Sequence, residues 1–524
     1  MRVLLVEPDY KSNSIQALKM AEEAKTTPRK KKEDESLWYP PLGLMKLATF
    51  HKNRGDEVQF LYGCNKAIFK EADLFSPANL WDRVYISTLF TFQWDKTFRT
   101  INFYKDAVGG STSKIIVGGI MASLMPEQIN RATNIVPVTG VINSPQKIFL
   151  QGDENIDLLP PDYEILDKNL YAINDTYYGY TTRGCVRKCP FCGVAEIEPK
   201  YIDYIDIKVI ISQLREKYGD KPRLKLMDNN VLASKHLERI IEDLLGLGYG
   251  RGNFINGNPR RVRSIDFNQG LDASRITAKS MPLLAKLNIR PMRIAFDKLK
   301  DKDNYIRAVE LARKHGVTDF SNYMLYNWRD TPRDLYERLI INIELNEKWR
   351  KGEVKRGPQI YSYPMRYAPI KEIDDSESSR KRDYSPSIRK GEHDYLKEAV
   401  WTPKFRRNIE IMKGAAFGAI SPTPTLARRA IGNNYEEFIS NLYMPSELLR
   451  NRDKYEKQIY KEKSPGTGDI EKFRKFILKH LKKPNKSFPD LYEAIAQNSK
   501  ATIRGYLKKC VDNEERKWLE FYLK

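Results

Sequence analysis

The sequence has few cysteines, few histidines and no long apolar run. Of its 524 residues, 5 are cysteine and 5 are histidine. No stretch approaches 18 uninterrupted apolar residues, and the first apolar run, Val3 to Val6, stops at Glu7. Neither a membrane span nor a signal-peptide core is therefore predicted. Five cysteines are also too few for a disulfide framework in a chain of this length. Together these absences predict a cytoplasmic protein without a membrane association.

Length, aromatic content and charge give the first positive indications. The chain has 30 Tyr, 21 Phe and 7 Trp and is 41% hydrophobic, which excludes a disordered protein and, at this length, predicts two to four domains. Its 90 basic and 68 acidic residues give a net charge of +22, which favours acidic partners such as RNA, DNA or phosphorylated substrates. Residues 371–524 hold 33 basic and 23 acidic residues, so nearly half of the excess lies there.

The first 157 residues alternate between short apolar runs and a helical pattern. This order is typical of α/β proteins and predicts a Rossmann-like domain with a parallel sheet over residues 1–157. The mixed-charge stretch Thr26–Ser36 is predicted to be a surface insert in the first strand-to-helix connection. The predicted helix is Pro41–Asn53, and the predicted strands are Arg2–Glu7, Glu57–Leu61, Val84–Leu89 and Lys114–Val117.

A proline-rich connector, Leu158–Asp162, predicts a domain boundary at residue 158. Six further strand patterns, most of them separated by amphipathic helical stretches, predict a partial TIM-type (βα)6 barrel over residues 158–370. After residue 370 a polar stretch, Lys371–Lys390, is followed by helical periodicity without strands, which predicts a basic α-helical extension over residues 371–524. In Lys472–Lys483 the apolar residues Phe473, Phe476, Ile477 and Leu481 are predicted to share one helix face. The predicted barrel strands are Tyr177–Thr182, Leu224–Met227, Ser264–Phe267, Met292–Phe296, Asp319–Leu325 and Gln359–Tyr363.

The sharpest chemical signal is a group of three cysteines, Cys185, Cys189 and Cys192, directly after the first barrel strand. A random placement of five cysteines gives this spacing with a probability on the order of 10⁻³ or less, so the array indicates a metal site. Structural zinc needs four ligands, and a fourth could come only from a distant residue such as Cys64. A four-iron cluster held by three cysteines keeps one iron open for an external ligand.

The segment Thr181–Gly193, with Phe191 just before the last cysteine, resembles the signature loop of radical S-adenosylmethionine (SAM) enzymes. The resemblance implies that Cys185, Cys189 and Cys192 bind a 4Fe-4S cluster and that SAM chelates the open iron through its amino and carboxylate groups. Reduction would then cleave SAM to a 5′-deoxyadenosyl radical that acts on an unidentified substrate. It also implies an electron donor such as flavodoxin or ferredoxin as a partner.

The segments Tyr39–Leu44 and Val117–Gly119, together with the predicted barrel, are similar to radical SAM proteins with an N-terminal cobalamin-binding-like domain. The resemblance covers roughly residues 1–370. Such relatives often bind cobalamin through an Asp-x-His-x-x-Gly loop, and none of the five histidines stands in such a sequence. Cobalamin binding therefore stays open, and the missing histidine favours a sheet domain that serves substrate docking.

Contacts to SAM are expected at the carboxyl ends of the barrel strands, because the loops of a barrel converge there. The expected cofactor-binding residues are Phe191, Asp228, Asn229, Gln269, Asp272, Asp297 and Asn327. For Asp228 and Asn229 the alternative is a helix N-cap. No catalytic acid, hydrogen donor or radical relay is assigned from the sequence.

Several clusters of basic residues are either RNA contacts or ordinary solvated faces. The clusters are Arg260–Arg263, Arg380–Arg382, Arg406–Arg407, Arg428–Arg429 and Lys472–Lys483, with Tyr384, Phe405 and Phe473 as neighbouring aromatics. Three alternatives to a radical SAM enzyme of unidentified substrate follow. They are a cobalamin-dependent radical SAM methyltransferase, a tRNA-modifying radical SAM enzyme, and a non-catalytic metal-containing nucleic-acid-binding protein.

Overall fold

The computed structural model describes nine stretches of the chain, which divide into two compact units. The first unit comprises residues 1–271 and 279–290, and the second comprises residues 272–278, 291–368 and the described part of 383–524. The predicted insert Thr26–Ser36 and the polar stretch Lys371–Lys390 lie outside the described residues. The three predicted domains stay a prediction. The described residues are 1–10, 37–69, 81–257, 259–350, 357–368, 400–414, 418–450, 466–482 and 491–523.

The first unit opens with a four-stranded parallel sheet of order β2-β1-β3-β4. Residues Val3 to Val6 are fully buried, as expected for a central parallel strand that is covered on both faces. Alternate side chains enter two separate cores, Leu4 and Val6 in one and Val3 and Leu5 in the other. The elements are β1 (Arg2–Glu7), α1 (Leu42–Asn53), β2 (Glu57–Tyr62), β3 (Arg83–Thr88), α2 (Trp94–Asp106), β4 (Ile115–Gly119), α3 (Ile120–Leu124) and α4 (Pro126–Thr133).

A second parallel sheet in the same unit has the order β5-β6-β9. The connections between its strands contain helices, as parallel pairing requires. The elements are β5 (Thr176–Gly179), α5 (Val194–Ile197), α6 (Ile207–Tyr218), β6 (Arg223–Leu226), α7 (Leu237–Gly246), the two-residue strands β7 (Phe254–Ile255) and β8 (Arg261–Val262), β9 (Ser264–Phe267) and α8 (Ser280–Leu284).

The second unit contains a parallel sheet of order β10-β11-β12. Strand β10 is shorter than predicted, although the N–H groups of Ile294 and Phe296 still donate to β11. All ten predicted strands are thus found, the last six in two three-stranded sheets, and their closure into a barrel stays a prediction. The elements are β10 (Met292–Arg293), α9 (Lys302–Lys314), β11 (Asp319–Tyr326), α10 (Pro332–Arg350) and β12 (Gln359–Arg366).

After residue 400 the described elements of the chain are helices. The predicted apolar helix face is confirmed, because Phe473 and Ile477 are fully buried. The expectation that Phe405 and Phe473 offer rings to nucleic acid is wrong, since both rings are buried and pack on other aromatic side chains. No described helix combines the length and the apolar character that a membrane span requires. The helices are α11 (Pro403–Gly414), α12 (Pro424–Ile431), α13 (Tyr435–Tyr443), α14 (Gly466–Lys482), α15 (Leu491–Ala496), α16 (Lys500–Lys509) and α17 (Asn513–Leu523).

Candidate metal centre and cofactor site

The three clustered cysteines lie on the loop between β5 and α5. Cys185 and Cys189 are half-buried and Cys192 is exposed, and none of the three forms a disulfide. The N–H of Cys192 donates to the carbonyl oxygen of Cys189 at 3.0 Å, which closes a turn between them. The loop therefore presents three thiols at the surface of the first unit.

The sulfur of Cys185 receives two hydrogen-bond donors. Asn230 Nδ2 lies 3.6 Å from Cys185 Sγ, and the N–H of Arg187 lies 3.4 Å from it. Asn230 is buried and its Oδ1 has no hydrogen-bond partner among the described residues. Donors of this kind stabilise negative charge on sulfur, as ligands of an iron–sulfur cluster require.

The three thiols are a donor set that fits a four-iron cluster, although in this structure they do not converge on a common centre. Among the described residues, no three His, Cys, Asp or Glu side chains are drawn together as a metal site. Cys64 lies against α2, with its sulfur 3.9 Å from Thr100 Oγ1, so it gives no support to a fourth zinc ligand. The fit therefore rests on three thiols of one loop and on the donors to Cys185.

Gly184 fixes the start of the cysteine loop. Its φ is +71°, and a Cβ at this position would lie 2.5 Å from the carbonyl oxygen of Lys200 and 2.9 Å from that of Glu198. The preceding residue, Arg183, pairs with Ile202 through two backbone hydrogen bonds of 2.9 Å. Only glycine permits this close approach of the two chain segments.

A buried network of four charged side chains holds the base of the loop. Arg183 donates to both carboxylate oxygens of Asp157 and, at 2.7 Å, to Glu198 Oε1. Lys46 of α1 donates to Asp157 Oδ1 at 2.9 Å. Glu198 in turn accepts from the N–H of Gly184 at 2.6 Å. The network therefore connects α1, the segment that ends the N-terminal region, and the cysteine loop.

The pKa directions agree with a tightly paired network. Burial by itself raises the pKa of Asp157, but Lys46 and Arg183 outweigh it and the net shift is downward. Burial also lowers the pKa of Lys46, against the attraction of Asp157. Asp157 is therefore ionised at neutral pH and neutralises two cations at once.

Asp228, predicted as a SAM contact or an N-cap, lies directly after β6 and binds the start of the cysteine loop. Its buried carboxylate accepts from the N–H of Thr181 at 2.9 Å and from the hydroxyls of Thr181 and Thr182, each at 2.7 Å. Burial raises the pKa of this carboxyl, although the four donors of the two threonines oppose the shift. Asp228 thus connects the end of β6 to the loop that follows β5 through hydrogen bonds.

The other expected cofactor residues of the first unit each come after a strand of the sheet β5-β6-β9. Asn229 donates to Glu198 Oε2 at 2.8 Å, and Phe191 is half-buried on the cysteine loop. Gln269 follows β9 and is exposed. Beside it, Asn268 accepts from the hydroxyl of Tyr39 at 3.0 Å, which gives the Tyr39–Leu44 segment a contact at this strand end.

Three expected cofactor residues lie in the second unit. Asp272 accepts from the N–H and the hydroxyl of Ser274 and caps a short turn. Asp297 accepts from the N–H of Leu325 at 3.0 Å, and burial raises its pKa. Asn327 is buried with φ +66° and donates to the carbonyl oxygen of Tyr367. Asn327 directly follows β11 and Asp297 comes shortly after β10, whereas Asp272 comes after β9 of the first unit; contacts of the three to SAM stay a prediction.

The carboxyl edge of the N-terminal sheet carries aromatic side chains. The order of the strands reverses between β1 and β3, which is where open α/β sheets bind ligands. Tyr10 follows β1 and packs on Phe90, which follows β3, and its hydroxyl accepts from the N–H of Leu89. Trp38 packs on the other side of Phe90 at 6.0 Å.

The single histidine of residues 1–157 is already hydrogen-bonded at both ring nitrogens. Residues 1–157 contain a single histidine, His51. Its Nδ1 lies 2.7 Å from Asp56 Oδ2 and its Nε2 lies 2.9 Å from the hydroxyl of Tyr85. Burial lowers its pKa, which favours the neutral imidazole, and the two hydrogen bonds hold the ring in place. The residues therefore do not supply the axial ligand that the Asp-x-His-x-x-Gly loop would provide.

A comparison with protein-family models gives no match, and a comparison with curated proteins gives none either. Among solved structures, the chain is similar to the radical S-adenosylmethionine methyltransferase TsrM from Kitasatospora setae with cobalamin and a 4Fe-4S cluster bound. The TM-score is 0.45 and the identity 14%, over 66% of this chain and 74% of TsrM. TsrM with tryptophan substrate and the SAM analog aza-SAM gives a TM-score of 0.45 and 13% identity, over 66% and 71%. SuiB from Streptococcus suis bound to S-adenosylmethionine gives 0.24 and 14%, over 38% and 40%.

Proposed function

We propose that the protein is a radical SAM enzyme that cleaves SAM reductively and acts on a substrate not yet identified. The observation that carries the proposal is the Cys-x3-Cys-x2-Cys loop after β5. Its sequence resembles the signature loop of that superfamily, and its first sulfur is hydrogen-bonded by Asn230 and by the N–H of Arg187. In this proposal β5-β6-β9 and β10-β11-β12 are the two parts of a partial barrel.

Cys185, Cys189 and Cys192 would hold the cluster as thiolates. A 4Fe-4S cluster held there would provide the electron for cleavage of the C5′–S bond of SAM, which would give methionine and a 5′-deoxyadenosyl radical. The chain's own residues position the loop: the carboxylate of Asp228 fixes Thr181 and Thr182, and Arg183 binds Asp157 and Glu198. The proposal includes an electron donor such as flavodoxin or ferredoxin as a partner of this protein.

Among the expected SAM contacts of the first unit, Gln269 is the best placed to bind a ligand. It is exposed after β9, whereas the carboxylate of Asp228 already accepts hydrogen bonds from two threonines. Asn229 is likewise engaged, since it donates to Glu198. We therefore assign a SAM contact to Gln269 and a positioning role to Asp228.

The test is an anaerobic incubation of the full-length, reconstituted protein with SAM and dithionite, followed by mass analysis for 5′-deoxyadenosine. The wild-type protein should produce it, and a variant with Cys185, Cys189 and Cys192 all changed to Ala should not. Cys64→Ala is the matched control, because this thiol contacts α2 outside the loop. Intact SAM with wild-type protein that carries its full iron content would refute the proposal.

The same sample separates two of the alternatives. Reconstitution with hydroxocobalamin followed by gel filtration tests whether the protein retains a corrin, for which residues 1–157 offer no histidine other than the hydrogen-bonded His51. Retained corrin together with methyl transfer from SAM would instead identify a cobalamin-dependent methyltransferase. RNA binding without SAM cleavage would identify a non-catalytic nucleic-acid-binding protein.

A further inference from the structure

A cavity of about 470 Å³ lies among the helices of the second unit, and the proposed function does not use it. Its walls come from α11, residues 446–450, the end of α15, α16 and α17. The charged lining is strongly unbalanced: it contains the cations Lys404, Arg407, Arg450 and Lys500 and a single carboxylate, Glu447.

Lys404 is the unusual member of this lining. Its side chain is buried, with a relative exposure of 4%, and its ammonium donates to Ser446 Oγ at 3.3 Å. Its other close partner is the ring of Tyr522, at 5.4 Å. Among the described residues, no carboxylate lies within ion-pair distance of it. Burial, and then the charge of Arg407, lowers the pKa of Lys404 to about 7.

A buried ammonium without a counter-charge is unfavourable, so the protein alone does not explain this residue. The neighbouring cavity, lined by α12, α13 and α14, shows the usual solution. There Arg428 binds Glu347 at 2.7 Å and Arg474 binds Glu437 at 3.2 Å. No such pair forms around Lys404 within the part of the chain that the structure describes.

Two helices also begin at the cavity. Lys404 is the second residue of α11 and Lys500 is the first residue of α16, and neither first turn contains an acidic residue. The amino end of a helix is already positive, so a lysine in the first turn is the opposite of the common preference. Helix ends and side chains thus add positive potential in one partly open cavity, which is an arrangement that attracts an anion.

We propose that this cavity binds a phosphomonoester, the dianionic terminal phosphate of a small molecule or of a nucleic-acid end. Lys404 is reached only by a group that enters the cavity, because so little of it is exposed. A phosphodiester inside a polymer has one charge and a substituent on either side, and therefore fits less well. The volume is in the range of small-molecule sites. This proposal does not depend on the iron–sulfur cluster.

The test is isothermal titration of the full-length protein with inorganic phosphate, adenosine 5′-monophosphate and adenosine. Phosphate and the monophosphate should bind saturably and adenosine should not. Lys404→Met and Arg450→Ala should each weaken binding by about tenfold or more, as expected when a charged donor is lost. Lys508→Ala is the matched control, since Lys508 is exposed on α16 and does not line the cavity; it should change the affinity less than about twofold.

The results that overturn the proposal are equally definite. They are an absence of saturable binding, equal binding of adenosine and its monophosphate, or the same loss in the Lys508 control. A pair of identical oligoribonucleotides with a 5′-phosphate or a 5′-hydroxyl provides the last arm. Equal affinity for the two would show that the protein binds the phosphodiester backbone and not the terminal phosphate, which would overturn the proposal. Circular dichroism of Lys404→Met, which exchanges a buried charge for an apolar side chain, confirms that the variant is folded.

Discussion

Replacement of Gly184 by alanine tests the packing of the cysteine loop directly. The residue has φ +71°, and the added methyl group would lie 2.5 Å from the carbonyl oxygen of Lys200. That oxygen belongs to the backbone, so the clash cannot be relieved by a side-chain rotation. The segment around Lys200 must move away from the loop, or the loop must change its path.

The expected loss in the free energy of unfolding follows from the contacts that such a movement breaks. A non-glycine residue in the left-handed region costs about 1 to 2 kcal/mol. Opening the bridge between Arg183 and Ile202 removes two backbone hydrogen bonds, each worth about 1 kcal/mol. Weakening of the bond from the N–H of Gly184 to Glu198 adds about 1 kcal/mol or more. The total is about 4 to 5 kcal/mol.

Gly55→Ala is the matched control. Gly55 has φ +77° just after the end of α1, and a Cβ there would meet nothing within 4 Å. This variant should therefore lose only the backbone contribution of about 1 to 2 kcal/mol. The difference between the two variants isolates the clash from the strain.

The assays are urea denaturation and the iron and sulfide content after anaerobic reconstitution. Gly184→Ala should lose about 3 kcal/mol more of the free energy of unfolding than Gly55→Ala, by the contact energies given above, and should incorporate much less iron. The reasoning is refuted if the two variants are equally stable and Gly184→Ala carries a full complement of iron.

Three further outcomes are expected. Asp157→Asn should lower the free energy of unfolding by about 3 to 5 kcal/mol at pH 7, because two buried cations lose their carboxylate, while exposed Asp153→Asn should change it by less than about 0.5 kcal/mol in urea denaturation. Since the pKa of Asp157 is lowered on folding, its contribution to the free energy of unfolding is present above about pH 4 and is lost as the pH falls through the folded pKa. Below that pH the wild-type protein and Asp157→Asn should be equally stable, and a remaining difference between them would contradict this reasoning. Asn230→Leu should keep the iron but lower the reduction potential of the cluster in an EPR titration, because a donor to sulfur is removed, and an unchanged potential would count against that contact. Lys404→Met should raise the free energy of unfolding by about 4 kcal/mol at pH 7, and the gain should shrink towards pH 10, since the folded pKa of about 7 lies below the ordinary value; a gain that is independent of pH would exclude the buried charge as its cause.

The sequence was most informative where one local property decides the outcome. Short uninterrupted apolar runs such as Val3–Val6 are typical of buried parallel strands, and the ten predicted strands are all present within a few residues of their expected bounds. The three cysteines needed no tertiary information, because ligand type and spacing are both local. The helix face with Phe473 and Ile477 was predicted for the same reason.

The sequence was uninformative where a residue acts through a distant partner. Asp228 was expected to bind a ligand or cap a helix, yet it accepts hydrogen bonds from Thr181 and Thr182, which precede it by more than forty positions. The role of Asp157 depends on Lys46, more than a hundred positions away. The one local signal that pointed to this packing was the glycine directly before Cys185, since a glycine next to a ligand often marks a close backbone approach.

The carboxylate at position 157 has a consequence for any attempt to dissect this chain. It sits just before the proline-rich segment at which a cloning boundary would ordinarily be drawn, and it neutralises cations from both sides of that cut. A fragment that starts at residue 158 would leave the guanidinium of Arg183 with Glu198 as its remaining carboxylate, beneath the very loop under study. Biochemical work on the proposed iron centre is therefore best done on fragments that keep the first 157 residues, even if the sheet they form takes no part in catalysis.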